Sequence, residues 1–256
     1  MPATGSLTGT VYQDADILDN SLYPAMRAET LLNSNDELVV PVRKQGHPHF
    51  RRLGALSFGV RVGRSEADPA HNRSVDEILH ELTVNNDVEL CVYVFDEKKV
   101  AHTQVIFSNL PGSNYRWVKE GGARVAFSDG RYIQPDIAGR DANKFFPRSS
   151  CPNIIIEVIR THEPDLETFK RLYELSKVST IVVFCFITEH AWKNKLNHVI
   201  SDPNRFIFRI SRYMINGSVY SGDSEVYARN VNESLDLWYA RLVNSYFLLA
   251  KEAVRK

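Results

Sequence analysis

An acidic residue interrupts one of the most apolar segments of this chain. Glu157 lies in the run from Asn153 to Ile159, in which all the remaining residues after the asparagine are isoleucine or valine. A carboxylate enclosed by apolar side chains is costly unless it is paired or bound to a cation. Asp136 lies upstream, directly after Pro135. Two carboxylates at neighbouring strand ends can hold Mg²⁺, which binds few carboxylates and coordinates phosphate oxygens. The pair therefore indicates cation-assisted phosphate chemistry.

The segment that carries Glu157 is followed by a helix pattern and by a second apolar run. Residues 153 to 159 predict a buried strand, residues 163 to 177 a helix with Pro164 in its first turn, and residues 180 to 187 another buried strand. This order predicts a βαβ unit with parallel strands and a right-handed crossover. Asp136 is placed at the end of a strand predicted over residues 131 to 137.

These motifs resemble the PD-(D/E)xK nuclease superfamily, and within it the branch similar to the competence protein CoiA. The resemblance rests on Gln134-Pro135-Asp136-Ile137, on the strand that continues as Glu157-Val158-Ile159-Arg160-Thr161-His162, and on a following helix with Lys170. It implies an α/β fold: a restriction-endonuclease-like core with a central mixed β-sheet flanked by helices. It also implies that Asp136 and Glu157 bind Mg²⁺ or Mn²⁺, with the Val158 carbonyl as a third ligand.

The resemblance leaves the remaining site residues open. A fourth acid on the first core helix is Glu77, Glu81 or Glu66. The superfamily usually has a lysine two residues after its strand acid, where this chain has Ile159. Lys170 is the first candidate to supply that charge from the next helix. Arg160 ranks second, because alternation along the strand directs it away from Glu157, and His162 is a candidate for contacting phosphate or capping the helix.

The rest of the chain predicts further strands and helices around this core. Residues 1 to 35 form a weakly patterned lead-in, followed by a hairpin of residues 37 to 44 and 55 to 62. Ser74 and Glu77 predict the capped start of a helix, and the alternating run from Val88 to Phe95 predicts a strand. Helices are also predicted over residues 191 to 200 and 231 to 256. The predicted divisions are an N-terminal β-rich lead-in (1–62), the nuclease-like core (63–200) and a C-terminal strand and helix (201–256).

Composition limits the classes of function. The 31 basic and 31 acidic residues cancel, so nucleic-acid binding requires local clusters such as Arg205, Arg209 and Arg212. The three cysteines are widely spread, and the N-terminus shows no secretory pattern, which favours a reducing, cytoplasmic location without membrane insertion. The histidines lack the spacing of a zinc site.

The sequence therefore predicts a metal-dependent nuclease that hydrolyses phosphodiester bonds, with DNA expected as the substrate. RNA as substrate, and a homodimer or a larger complex as the assembly, stay open. The alternative is a nuclease-fold module with a degenerate site that binds nucleic acid or a protein partner, and Ile159 favours that alternative.

Overall fold

The protein is represented by a computed structural model that describes residues 2–34, 37–52, 60–63, 68–85, 87–143 and 147–255. The chain forms two compact units. One contains residues 1–61 together with 126–132, and the other contains residues 62–125 together with 133–256. Among the described residues, none of the helices combines the length and the apolar character that crossing a membrane requires.

The N-terminal unit is built on a small antiparallel sheet. Its elements are β1 (Ala3–Gly5), β2 (Val11–Tyr12), α1 (Tyr23–Ala28), β3 (Leu31–Leu32), β4 (Leu38–Val42), β5 (His49–Arg52) and β6 (Val60–Arg61), with a 3₁₀ turn at Asp14–Leu18. The sheet order is β2-β1-β3-β4-β5. Tyr12, Ile17, Met26, Leu31 and Phe50 form its buried core. Residues 1 to 35, predicted as a weakly patterned lead-in, thus contribute strands, a helix and core residues.

The remaining elements follow in chain order. They are α2 (Pro69–Val84), β7 (Val88–Phe95), β8 (Ala101–Ser108), β9 (Tyr115–Lys119), a 3₁₀ turn (Glu120–Ala123), β10 (Val125–Ala126), β11 (Arg131–Ile133), β12 (Ile137–Asp141), β13 (Asn153–Ile159), α3 (Leu166–Ser176), β14 (Thr180–Phe186), β15 (His198–Ile200), β16 (Phe206–Arg209), β17 (Arg212–Ile215), β18 (Ser218–Ser221), β19 (Ser224–Glu225), α4 (Leu235–Leu242), a π-helical turn (Val243–Phe247) and α5 (Leu248–Arg255). The larger unit contains a seven-stranded sheet, β19-β18-β17-β14-β13-β12-β9, and a four-stranded sheet, β15-β16-β7-β8. The fold is α/β with mixed sheets.

The predicted strand, helix and strand unit is confirmed. β13 and β14 are parallel neighbours along their whole lengths, with Glu157 opposite Phe184 and Ile159 opposite Phe186. The connecting α3 begins at Leu166, later than predicted, because the Asp165 side chain caps it by accepting a hydrogen bond from the Thr168 amide. Pro164 therefore precedes the helix and does not lie in its first turn.

The two faces of the seven-stranded sheet are covered differently. On one face, Ile154, Ile156 and Val158 of β13 share a core with the apolar face of α2 and with β7 and β16. On the other face, Phe184 and Phe186 of β14 contact Phe247, which also contacts Phe169 of α3. Because side chains alternate along a strand, Glu157 and Ile159 belong to the second face, on the side of α3.

The start of α2 differs from the prediction. The N-cap is Asp68, whose carboxylate accepts a hydrogen bond from the Ala70 amide, and Pro69 occupies the first helical position. Ser74 was predicted as the cap, yet it lies buried within the helix. Aspartate followed by proline is itself a strong helix start, so α2 begins one and a half turns earlier than the Ser74-Glu77 pattern indicates.

Three other predicted elements are wrong. β4 pairs with β5 and not with residues 55 to 62, of which residues 55–59 lie outside the described part of the chain. Residues 191 to 200 form turns and β15, because Asn194 bonds the Phe186 carbonyl and the Leu196 amide through its side chain, which competes with helical bonding. The strand predicted over residues 131 to 137 is divided into β11 and β12 by Gln134, Pro135 and Asp136.

Candidate metal centre

Pro135 and Asp136 lie where the ladder between β12 and β13 ends. These strands are antiparallel, with Ile137 opposite Ile156 and Ala138 opposite Ile155. Continuing this register by one residue places Asp136 opposite Glu157, and by two residues places Pro135 opposite Val158. The ladder thus brings the backbones of the two acids of the sequence motif next to each other at its end, and the direction of each side chain is set by its own contacts.

The end of this ladder lacks one main-chain hydrogen bond. The Val158 amide donates to Asp136 Oδ2 at 2.8 Å, so the carboxylate takes the place that a carbonyl of β12 would have. Pro135 has no N–H, and the β12 backbone therefore cannot bond the Val158 carbonyl at this position. In an extended strand the N–H and C=O of one residue point to the same side. The Val158 carbonyl consequently points toward the side on which Asp136 lies.

A buried histidine of α2 also contacts Asp136. His71 Nε2 lies 3.1 Å from Asp136 Oδ2, and the His71 side chain is 5% exposed against 23% for Asp136. Cys185 is opposite Val158 on β14, and burial, followed by the Asp136 charge, raises the pKa of its thiol. The described contacts of the Asp136 carboxylate are therefore the Val158 amide and His71 of α2. The Glu157 side chain, in contrast, leaves β13 on the side covered by α3.

Arg160 follows β13 and joins the start of α2 to the same strand end. Its Nη1 donates to Asp68 Oδ2, and its Nη2 lies 3.8 Å from Glu189 Oε2. Arg73, also in α2, donates to the Glu189 carbonyl at 2.8 Å. The hydrogen bond from Arg160 holds the pKa of the Asp68 carboxyl below its ordinary value. Asp68, the partner of Arg160, thus lies within one helical turn of His71, and His71 contacts Asp136.

The ion pair between Arg160 and Asp68 predicts a loss of stability in acid. The folded-state pKa of Asp68 lies below its ordinary value of 3.8, so the pair stabilises the protein above pH 3.8 and stops doing so as the pH falls below that value. Asp68→Asn keeps the capping oxygen and removes the charge. In urea unfolding, we expect the wild type to be the more stable protein at neutral pH and the difference to shrink below pH 3.8. A difference that does not change with pH would contradict this role for the pair.

Lys170 and Ile159 lie on the α3 side. The Lys170 ammonium is 3.0 Å from Glu167 and 3.0 Å from Asp236 of α4, and the hydrogen bonds that it donates, first to Asp236 and then to Glu167, raise its pKa. The described contacts of Lys170 therefore join α3 to α4 and include neither predicted acid. Ile159, two residues after Glu157, is 2% exposed and packed in the core.

The other predicted site residues show no described contact with Asp136. His162 is exposed in the turn after β13, and Glu77 is exposed on α2. Glu81 lies 3.5 Å from Lys193, and Glu66 falls outside the described residues.

The donors at this strand end suit a magnesium-type ion. In the described part of the chain, no three histidine, cysteine, aspartate or glutamate side chains cluster as a metal site. Mg²⁺ does not need such a cluster, because it is commonly held by one or two carboxylates and completes its shell with water. Asp136, Glu157 and the Val158 carbonyl supply oxygen ligands only, which matches the preference of Mg²⁺ and Mn²⁺ and does not match zinc.

Two residues of this site were not predicted from the sequence. Asp68 and His71 lie at the start of α2, before Ser74, where the sequence pattern predicts the helix to begin. The signals were present, since Asp68-Pro69 is a helix start and His71, Val75, Ile78 and Leu82 recur at the spacing of one helix face.

No protein-family model, no curated protein and no solved structure matches this chain. The function proposed below is therefore argued from the residues of this chain and their geometry.

Proposed function

We propose that this protein is a metal-dependent nuclease that hydrolyses phosphodiester bonds in DNA, with Asp136, Glu157 and the Val158 carbonyl as the ligands of Mg²⁺ or Mn²⁺. The observation that carries the proposal is the end of the ladder between β12 and β13. There Pro135, which has no N–H, cannot donate to the Val158 carbonyl, and Asp136 follows directly after the last pair of the ladder, Ile137 and Ile156, next to Glu157 on the neighbouring strand. The mixed sheet of β9, β12, β13 and β14, with α2 on one face and α3 on the other, is compatible with a restriction-endonuclease-like core.

Each residue of the site has a defined task in this proposal. The Val158 amide fixes one oxygen of the Asp136 carboxylate, which limits the rotation of that side chain. His71 lies at the same oxygen and orients it from α2. When bound, the divalent ion would lower the pKa of a water ligand and stabilise negative charge on the phosphate. The carboxylates of Asp136 and Glu157 supply the two negative charges that attract the cation.

The positive charge that the superfamily takes from its lysine is assigned here to Arg160. Arg160 lies at the same strand end as Glu157 and is connected through Asp68 to the first turn of α2. Lys170 is held by Glu167 and Asp236. A guanidinium can bind two phosphate oxygens side by side, which suits it to stabilise charge on a cleaved phosphate.

The assignment of Arg160 is tested by a matched pair of variants. We expect Arg160→Gln to lower metal-dependent cleavage by roughly 10-fold to 100-fold, because removal of one charge-stabilising donor has effects of about this size. Lys170→Gln, which removes a lysine bound in an ion pair between helices, should leave the rate within about twofold of the wild type. The turnover number at saturating Mn²⁺ is the measurement, and the reverse ranking would return the role to Lys170.

The proposed activity is tested with the purified protein on plasmid, linear duplex, single-stranded DNA and RNA. We expect DNA cleavage that requires Mg²⁺ or Mn²⁺ and stops when a chelator is added. Cleavage of RNA alone would change the substrate class. Failure to cut any of the four substrates with either ion would remove the enzymatic proposal.

A second candidate is a nuclease-fold module without activity that binds nucleic acid or a protein partner. It is favoured by the divergence of the two acids, since the Asp136 carboxylate contacts α2 while Glu157 leaves the strand on the α3 side. Calorimetric titration separates the candidates. The nuclease should bind Mn²⁺ saturably, with an affinity that falls in both Asp136→Asn and Glu157→Gln, whereas the module should show no such binding.

A cytoplasmic location is proposed on the state of the cysteines. Cys91, Cys151 and Cys185 are all free and buried. Free buried thiols suit a reducing compartment, where disulfides are rare.

A further inference from the structure

Two arginines lie at the junction of the two sheets of the larger unit. The chain leaves β16 at Arg209, passes through Ile210 and Ser211, and enters β17 at Arg212. Arg209 is only 9% exposed. Its guanidinium carbon lies 4.5 Å from the centre of the Tyr93 ring, and its Nη1 donates to the Lys195 carbonyl. Burial lowers the pKa of Arg209, which reflects the cost of removing this charge from water.

No acid in the described part of the chain neutralises either arginine. Among the residues that the structure describes, no carboxylate lies within ion-pairing distance of Arg209 or Arg212. Arg205, directly before β16, shows the usual alternative, since it pairs with Glu89 at 2.8 Å and with Asp202 at 3.5 Å. Buried charges in proteins are normally paired, because an unpaired one costs several kcal/mol. The two arginines are thus an exception within their own segment.

Both guanidiniums make their described hydrogen bonds through Nη1. Arg212 Nη1 donates to Ser221 Oγ and to the Ser211 carbonyl. In the described structure, Arg209 Nε, Arg212 Nε and Ser211 Oγ are buried without a hydrogen-bond partner. The edge formed by Nε and Nη2 is one that grips two oxygens of a phosphate side by side. Three unpaired polar groups therefore lie within one short segment, and two of them belong to cations.

A histidine lies on the opposite strand beside Arg209. His198 is opposite Arg209 in the pairing of β15 with β16, and its ring lies 3.0 Å from the Tyr93 hydroxyl. Burial, and then the charge of Arg209, lower the pKa of His198. Arg212 and Ser221 are half-buried, so the cluster reaches the surface on their side.

We propose that Arg209, Arg212 and the Ser211 hydroxyl bind a small phosphate-type oxyanion at the junction of β16 and β17. Two guanidiniums match the charge of a phosphate dianion, and the serine hydroxyl adds a neutral donor. The burial of Arg209 favours a compact anion over the backbone of a nucleic-acid duplex. This site does not depend on the proposed nuclease activity, since it uses none of the residues of the candidate metal centre.

The test is calorimetric titration of the full chain with inorganic phosphate, with chloride at equal ionic strength as the reference. We expect saturable binding of phosphate and none of chloride. Arg212→Gln should weaken phosphate binding by at least about tenfold, because a charge-assisted pair contributes at least the free energy of one decade in affinity. Arg205→Gln is the matched control and should bind phosphate like the wild type.

Arg212 is chosen for substitution because it is half-buried, whereas replacing the buried Arg209 would disturb folding. Ser211→Ala, which removes only a hydroxyl, provides a second variant and should also weaken binding. Absence of saturable phosphate binding by the wild type, or equal binding by Arg212→Gln and wild type, would overturn the proposal. A short DNA duplex that displaces phosphate from the wild type would overturn the assignment to a small anion.

Discussion

Asp136→Asn is expected to lower metal-dependent DNA cleavage by more than about 100-fold, since even residues that only support a metal ligand commonly contribute 10-fold to 100-fold. Asparagine has nearly the same shape as aspartate and keeps an oxygen that can accept the hydrogen bond from the Val158 amide. It loses the negative charge that attracts the cation. The rate of plasmid cleavage in Mn²⁺ is the measurement.

The asparagine variant is preferred to Asp136→Ala for a structural reason. Alanine would leave the Val158 amide without its acceptor and the buried His71 ring without its described carboxylate contact. An orphaned buried donor costs about 1 to 3 kcal/mol, so a loss of activity could then reflect partial unfolding. Asp223→Asn, an exposed aspartate on the loop between β18 and β19, is the matched control. Equal cleavage by Asp136→Asn and wild type would remove Asp136 from the site.

The parts of the fold that could be predicted are those in which local pattern and long-range structure agree. The apolar runs of β13 and β14 are too continuous for strands with one solvent-exposed face. The amphipathic helix between them indicates that the two strands are joined by a crossover connection. Parallel pairing follows from those two facts alone. The same reasoning identified Glu157, because a carboxylate in such a run is conspicuous.

The contacts between distant segments could not be predicted in the same way. His71 and Asp136 are 65 residues apart, and no spacing rule connects a residue in the first turn of a helix to the end of a strand. The position of α2 was needed first, and the Ser74-Glu77 pattern placed its start too late. Likewise, the neighbouring arginines of the β16 to β17 segment look equivalent in the sequence. Only the structure shows that Arg205 is paired with acids, whereas no described acid pairs with Arg209 or Arg212, whose Nε atoms are buried without a hydrogen-bond partner.

The direction of the Asp136 carboxylate is also a tertiary effect. Alternation along β12 would place Asp136 on the same face as Ala138, which is opposite Ile155 and therefore on the side of Glu157. The bend at Pro135 and Asp136 releases the side chain from that rule, and the Val158 amide and His71 then hold it. A cation shared with Glu157 would compete with His71 for this carboxylate.

Ile159→Lys places a lysine where the resemblance to PD-(D/E)xK nucleases predicts one, and we expect the substitution to destabilise the fold by about 3 to 5 kcal/mol. Ile159 is 2% exposed, lies opposite Phe186, and shares its face with Phe184. A lysine there loses its hydration among aromatic rings, and its pKa falls because burial disfavours the charged form. Ile159→Met, which nearly conserves volume, should cost less than about 1.5 kcal/mol. Urea unfolding of the two variants and the wild type gives the free energies.

A smaller loss of stability in Ile159→Lys would indicate an interaction with Glu157, because Glu157 precedes Ile159 by two residues and its side chain leaves β13 on the same face. If Ile159→Lys were no more destabilising than Ile159→Met, the ammonium would have found a carboxylate, and adding Glu157→Gln to that variant should then restore the full loss of stability. A stable lysine variant that also cleaves DNA faster than the wild type would show that this face can hold an acid and a lysine two residues apart, as PD-(D/E)xK nucleases do. The role assigned to Arg160 would then have to be given up. The expected instability instead explains in physical terms why this chain has isoleucine there: the strand end that carries Glu157 is packed as core, and the positive charge has to come from outside it.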